Sequence, residues 1–244
     1  MLRKLFVLLY QPYKWLFLIP VILIFTFFFG IAAVVVSSLI NQKAGSYVGG
    51  ALWSRFIIML TPVFVKVKGL DNIKKGTSYI IIPNHQSFYD VFAIYGWLGL
   101  DIKWLMKKEL AKIPGVGFGS RKVGHIFLDR SNQQAAVKSY KEAKRKLVNG
   151  TSVVIFPEGT RSKNGKLLPF KRGAYKLAFD LNLPLLPVTI NGSKNILPAG
   201  SFSKILPGNI SITVHPPIEI KDLNDKHISE IMDKSKGIIS SALE

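Results

Sequence analysis

The chain has no cysteine and only four histidines in 244 residues. Without cysteine there is no disulfide framework, no thiol nucleophile and no Cys-ligated zinc, and the redox compartment stays open. The histidines are scattered and no two have the spacing of paired metal ligands, so no metal site is expected. Acidic side chains are also scarce: 14 Asp and Glu stand against 33 Lys and Arg, a net charge of +19. That surplus implies a polyanionic partner: nucleic acid, an anionic membrane or a phosphorylated substrate. Residues 1–70 hold no acid at all but seven Lys and Arg, and the 26 residues from Trp15 to Ile40 carry no charge of either sign. Internal repeats and low-complexity linkers are absent too.

The charge-free run sets the first 61 residues apart. As a helix it would be ~39 Å long, enough to cross a bilayer core with tilt. It is too long for a cleaved signal peptide, and no small-residue cleavage site follows it. A single crossing would leave Arg3, Lys4 and Lys14 on one side and a basic domain on the other, against the positive-inside tendency. Pro20 and Gly30 interrupt the run. A second apolar stretch, Tyr47 to Pro62, sets Arg55 among Trp53, Phe56, Ile57 and Leu60 in the manner of an interfacial amphipathic helix. We therefore expect residues 1–61 to form a membrane-embedded helical pair that enters one leaflet, with both ends on the cytoplasmic side. The basic residues of this segment suit anionic lipid headgroups.

From residue 62 to 244 short β-branched runs alternate with longer helical stretches. Strands are expected over Val63–Lys68, Ser78–Ile82, Ile102–Met106, His125–Asp129, Ser152–Phe156, Leu185–Ile190 and Ile210–His215. Helices are expected over Phe88–Leu98, Asn132–Val148 (stopped by Asn149-Gly150), Gly173–Leu181 and Asp225–Ser241. This alternation implies an α/β domain: a mixed, largely parallel sheet flanked by helices, with functional side chains in loops at strand ends.

Three such loops carry chemistry. In Pro83-Asn84-His85-Gln86-Ser87-Phe88-Tyr89-Asp90, Ser87 and Asp90 have the spacing of a helix capping box, which would leave Asp90 on backbone N–H groups and His85 as a loop residue. The same residues permit another arrangement. A turn before the helix brings the Asp90 carboxylate to the His85 imidazole, fixing its tautomer as a general base. Ser87, with its oxygen turned to the backbone as an N-cap, is a poor nucleophile. In Phe156-Pro157-Glu158-Gly159-Thr160-Arg161-Ser162, Gly159 permits close backbone approach and Arg161 suits a phosphate or carboxylate. The alternative is a surface turn in which Glu158 and Arg161 pair. In the third loop a strand ends at Asp129-Arg130, either an ion pair or a second cation for the same pocket. His125 alternates with the inner face and reads as structural.

Together these loops resemble the glycerolipid acyltransferase superfamily, specifically the 1-acyl-glycerol-3-phosphate acyltransferases. The family's N-H-x4-D block is met by Asn84 to Asp90. Ile126 to Arg130 meets the second block, and Phe156 to Ser162 the third in full. Leu186-Pro187-Val188-Thr189-Ile190 meets the fourth. The blocks run in the family's order over roughly residues 60–220. The resemblance implies a membrane-bound acyltransferase that moves a fatty acyl group from a thioester to the 2-hydroxyl of 1-acyl-glycerol-3-phosphate (lysophosphatidic acid). His85 would be the base and Asp90 its orienting acid, with direct transfer and no acyl-enzyme. Glu158, Gly159, Thr160 and Arg161 would hold the phosphate and glycerol, assisted by Arg130 and by Lys107. No cofactor is implied beyond the co-substrate, acyl carrier protein or coenzyme A thioester.

The surplus of positive charge then has lipid headgroups and the substrate phosphate to serve. An acidic carrier protein is a third anion, with the basic helix face of Lys138, Lys141, Lys144, Arg145 and Lys146 as its dock; the plainer reading of that face is simple solvation. Another acceptor, such as glycerol-3-phosphate, another lysophospholipid or an aminoacyl lipid, would fit the same motifs. A membrane-tethered nucleic-acid-binding module would fit the charge, but no ribonucleoprotein or zinc-finger pattern is present, and no nucleic-acid partner is expected. We expect the protein at the cytoplasmic face of the inner membrane, integral or monotopic through its N-terminal helices.

Overall fold

A computed structural model describes residues 2–128, 150–201, 203–221 and 223–244. Asp129, Arg130 and the helix expected over Asn132–Val148, with its basic face, lie outside the described residues.

Seven strands form one sheet: β1 (Val63–Lys68), β2 (Ile80–Pro83), β3 (Asp101–Lys107), β4 (Ile126–Leu128), β5 (Thr151–Val154), β6 (Leu185–Asn191) and β7 (Gly208–Val214), in the order β1-β7-β6-β2-β5-β3-β4. Every neighbouring pair is parallel except β6 with β7. The sheet is therefore mixed and largely parallel, as the alternating pattern implies. Burial follows strand position. β2 and β6 lie inside the sheet and are buried at every residue, the signature of a strand covered on both faces. β1 is an edge strand, and Lys66 and Lys68 alternate outward from Val65 and Val67, which discourages edge-to-edge pairing.

Two hydrophobic cores lie on opposite faces. Ile81 of β2 packs with Tyr89, Ala93 and Ile94 of the helix Tyr89–Trp97, while Ile80 and Ile82 point the other way onto Tyr175 and Ala178 of the helix Gly173–Leu181 and onto Ile228 and Ile231 of the C-terminal helix Ile228–Ser241. The period-two alternation along β2 thus assigns its three isoleucines to two layers.

The N-terminal segment is a helical hairpin. α1 (Leu2–Pro12) runs through a π-helical stretch, Tyr13–Leu18, into α2 (Ile19–Leu39). The expected interruption at Pro20 does not occur. The carbonyl that its ring would strike, four residues back at Leu16, lies in the widened π turn, so the helix continues. Asn41 caps the return limb, its side chain accepting from Ala44 N at 2.9 Å. That limb comprises α3 (Gln42–Ser46), a second π-helical stretch Tyr47–Leu52, and α4 (Trp53–Leu60). Leu16, Leu23, Phe28 and Val35 remain exposed along the first limb, and Val7–Leu39 is long and apolar enough to cross a membrane.

The hairpin is also packed into the α/β domain. Tyr13 OH donates to Leu60 O at 2.7 Å, Ser46 Oγ and Tyr95 OH share a buried hydrogen bond of 2.7 Å, and Trp53 meets Phe92 edge-on. Backbone meets backbone at Gly30, where a Cβ would lie 2.4 Å from Gly115 O. Gly115 precedes a short helix, Val116–Lys122, absent from the sequence reading. Gly117 and Gly119 make it a poor helix by propensity. It forms where backbone can approach backbone across the hairpin.

Candidate active site

β2 and β5 are adjacent and parallel, so the loops that follow them emerge side by side. Asn84, fully buried, continues the sheet with its side chain: Nδ2 donates to Ile190 O at 2.9 Å and Oδ1 accepts from Ile190 N at 2.7 Å. The chain then turns. The His85 N–H donates to Glu158 Oε1 at 2.7 Å, and His85 O accepts from Ser162 N at 2.8 Å. The loop after β5 therefore grips the His85 backbone from both sides.

The His85 ring stacks on Phe156, centroids 3.6 Å apart and planes 14° apart. Its Nδ1 lies 2.9 Å from Asp90 Oδ2. The same oxygen accepts from Gln86 N at 2.7 Å and Ser87 N at 2.8 Å. The two arrangements weighed from the sequence thus coexist in one atom: Asp90 completes the helix start and also holds the imidazole. With two backbone N–H groups already on Oδ2, Nδ1–H as the third donor is the tautomer that suits this carboxylate, and in the neutral ring that tautomer carries its lone pair on Nε2. Ser87 Oγ is buried, accepts from Tyr89 N at 3.1 Å and donates to Leu197 O at 2.7 Å, so it is not presented to a substrate.

Glu158 sits differently from the expectation for a ligand-binding acid. It is buried, its second oxygen accepts from Leu168 N at 2.9 Å, and it does not line the cavity beside His85. Burial pushes its carboxyl above the usual range, and the Leu168 and His85 N–H groups pull it back. The Glu158–Arg161 pair of a plain surface turn is not formed. The Arg161 guanidinium lies over the Phe88 ring, 4.3 Å from its centroid, and Nη1 is buried with no hydrogen-bond partner among the described residues. Gly159 has φ +71°, a backbone conformation that favours glycine.

A cavity of about 430 Å³ joins these groups to the hairpin. His85, Gly159, Thr160, Arg161 and Lys107 line one part, and Gly30, Ala33, Gly49, Val116 and Gly119 another. The change of structure at residues 61–62 is therefore not a boundary of packing: both sides build one cavity. His125, read as structural, is buried on its wall with Nε2 3.3 Å from Tyr95 OH. Of the site residues expected from sequence, only Arg130 lies outside the described residues. The sequence reading missed the Phe156 stack, the Phe88–Arg161 contact and the Glu158 clamp. The only available signal for the clamp was an acid directly after a buried strand.

Residues 64–191 match the acyltransferase family. The chain is 31% identical over 196 residues to the 1-acyl-sn-glycerol-3-phosphate acyltransferase of Pseudomonas aeruginosa, covering 78% of this chain and 75% of that one. It is 34% identical over 169 residues to the chloroplastic enzyme of the same name, BAT2, from Brassica napus, covering 68% of this chain. It spans about half the length of the chloroplast relatives it matches, 48% and 47%. The crystal structure of the 1-acyl-sn-glycerophosphate (LPA) acyltransferase PlsC from Thermotoga maritima superposes with a TM-score of 0.82 at 28% identity, covering 99% of this chain and 96% of that one.

Proposed function

The chain belongs to the acyltransferase family, and from that premise we propose that it transfers a fatty acyl group from a thioester to the 2-hydroxyl of 1-acyl-glycerol-3-phosphate, forming phosphatidic acid. One arrangement carries this reading. A histidine with its Nδ1 side held by a buried carboxylate lines the same cavity as an arginine whose Nη1 makes no hydrogen bond among the described residues. A base and an anion site within one cavity suit an acceptor that carries both a hydroxyl and a phosphate.

His85 Nε2 takes the hydroxyl proton as the oxygen attacks the thioester carbonyl carbon. Asp90 stabilises the imidazolium that results. The tetrahedral intermediate collapses with cleavage of the C–S bond, and the imidazolium proton passes to the departing thiolate. Products are phosphatidic acid and a free thiol, and His85 returns to its neutral form. The transfer is direct, in keeping with the buried and doubly engaged Ser87 and the absence of cysteine. Arg161, with Gly159, Thr160 and Lys107, holds the phosphate and glycerol, and Arg130 is assigned to assist. Glu158 acts on the substrate only through the His85 backbone that it holds. The acyl tail takes the apolar arm between the hairpin and the helix Val116–Lys122. The donor is acyl carrier protein or coenzyme A thioester. The hairpin seats the protein on the cytoplasmic face of the membrane through its exposed apolar side chains.

Acyl transfer in mixed micelles tests this, with labelled acyl carrier protein and acyl coenzyme A donors offered to wild type, His85→Ala and Arg161→Ala. The expected result is phosphatidic acid from wild type, its loss in His85→Ala, and a raised KM for the lysolipid in Arg161→Ala. Full activity in His85→Ala would overturn the assignment of the base.

A further inference from the structure

Phe88 is 38% exposed, lies between His85 and Asp90 in sequence, and lines the cavity. It presents its ring face to the Arg161 guanidinium at 4.3 Å. The guanidinium is thus held by a face contact, while Nη1 makes no hydrogen bond among the described residues and the neighbouring Glu158 is engaged with backbone N–H groups. A cation stacked on an aromatic face keeps its in-plane N–H edges free.

We propose that Phe88 is the positioning residue for Arg161: its ring fixes the guanidinium plane, before an anionic headgroup arrives, in the cavity that both residues line. The inference rests on the assignment of Arg161 to the substrate phosphate. Two loops from adjacent strands meet in this contact. Phe88 sits at the start of the helix that carries Asp90, so the same short segment that orients the base also orients the anion site. An arginine side chain has several rotatable bonds, and ordering it in advance removes that cost from the binding step. The effect should therefore fall on affinity for the lysolipid and not on the chemical step.

The test measures kcat and KM for a short-chain 1-acyl-glycerol-3-phosphate, below its micelle concentration and at saturating donor. The variants are Phe88→Leu, Phe88→Tyr, Arg161→Gln and the double variant Phe88→Leu/Arg161→Gln, each checked for an intact fold by thermal melting. Leucine keeps the apolar bulk and loses the π face. It should raise KM about five- to tenfold, with kcat within about twofold. Tyrosine should restore KM. In the Arg161→Gln background, Phe88→Leu should add nothing, because there is no cation left to position. Equal KM changes for leucine and tyrosine, or a leucine effect undiminished in the double variant, would overturn the proposal. A raised KM in Arg161→Gln with none in Phe88→Leu would overturn it alone and leave the phosphate assignment standing. An unchanged KM in Arg161→Gln would remove the assignment and the proposal together.

Discussion

Asp90→Asn separates the two tasks that meet in one oxygen. In the native site Asp90 Oδ2 accepts from His85 Nδ1 at 2.9 Å, Gln86 N at 2.7 Å and Ser87 N at 2.8 Å, and the residue is wholly buried. A hydrogen bond to a charged acceptor contributes about 1.5–3 kcal/mol and one to a neutral acceptor about 0.5–1.5. Neutralising the acceptor of three such bonds therefore costs about 3 kcal/mol. The new amide group would occupy the position of Oδ1, which has no hydrogen-bond partner among the described residues, adding about 1 kcal/mol or more. For a chain of this size the melting temperature should fall by about 10 °C. The rate should fall as well. If the amide nitrogen turns toward His85, Nδ1 must accept, Nε2 carries the proton, and the base is lost. If the oxygen stays, the imidazolium loses its counter-charge. Either outcome removes about 10²–10⁴ from kcat. His85→Ala is the companion variant. It leaves the two backbone bonds to Asp90 intact, so it should lose a comparable rate with a smaller stability loss of about 1–2 kcal/mol. The assay is kcat for acyl transfer per folded molecule, beside thermal melting. If Asp90→Asn melts early yet turns over at the native rate, Asp90 is a helix cap and nothing more, and the base mechanism fails.

Further outcomes follow from other contacts. Asn84→Ala strips the paired partner from Ile190 N–H and C=O, both buried, and should cost about 2–5 kcal/mol in chemical denaturation; a loss under about 1 kcal/mol would show that the sheet closes the gap unaided. Partial burial holds the His215 imidazole below its ordinary value of 6.5, with Nε2 2.8 Å from Thr189 Oγ1. Below pH 6.5 the unfolded chain then binds a proton that the folded chain resists. Stability should fall as pH drops from there toward the folded value and level off beneath it. His215→Gln should flatten that slope in melting curves, and an unchanged slope would place its origin elsewhere. Leu16→Lys with Phe28→Lys, at positions 81% and 58% exposed, should weaken vesicle flotation at least tenfold without lowering the melting temperature. Native-like flotation would mean that this face does not meet lipid. Because the chain has no cysteine, Leu2→Cys and Lys236→Cys can be labelled singly; labelling from opposite sides would exclude a hairpin that enters one leaflet.

The seven strands were legible because strand burial is a local periodicity. Alternation in Val63–Lys68 marks an edge strand, and unbroken apolar runs mark β2 and β6. The helix Gly173–Leu181 was legible for the same reason. The helix Val116–Lys122 was not, since its glycines argue against it until Gly30 of the hairpin is brought alongside. The order of the strands depends on pairings between residues more than a hundred positions apart in β1 with β7 and β2 with β6.

The candidate site divides along the same line. By itself the sequence determined which groups the loops offer: His85, Asp90 and Arg161 sit in short motifs whose residue types and spacing suit a base, its orienting acid and an anion ligand. It also determined that residues 1–61 are apolar and basic enough to meet a membrane. Only the tertiary structure decided what each group touches. It put the cap and the imidazole on one Asp90 oxygen, turned Glu158 from the cavity to the His85 backbone, and laid Arg161 on Phe88. It also carried the cavity across to the hairpin. The physical reason is distance along the chain. A motif encodes the groups that a loop offers, but a hydrogen bond between loops 73 residues apart, or a glycine contact between Gly30 and Gly115, exists only once adjacent strands have set their ends side by side.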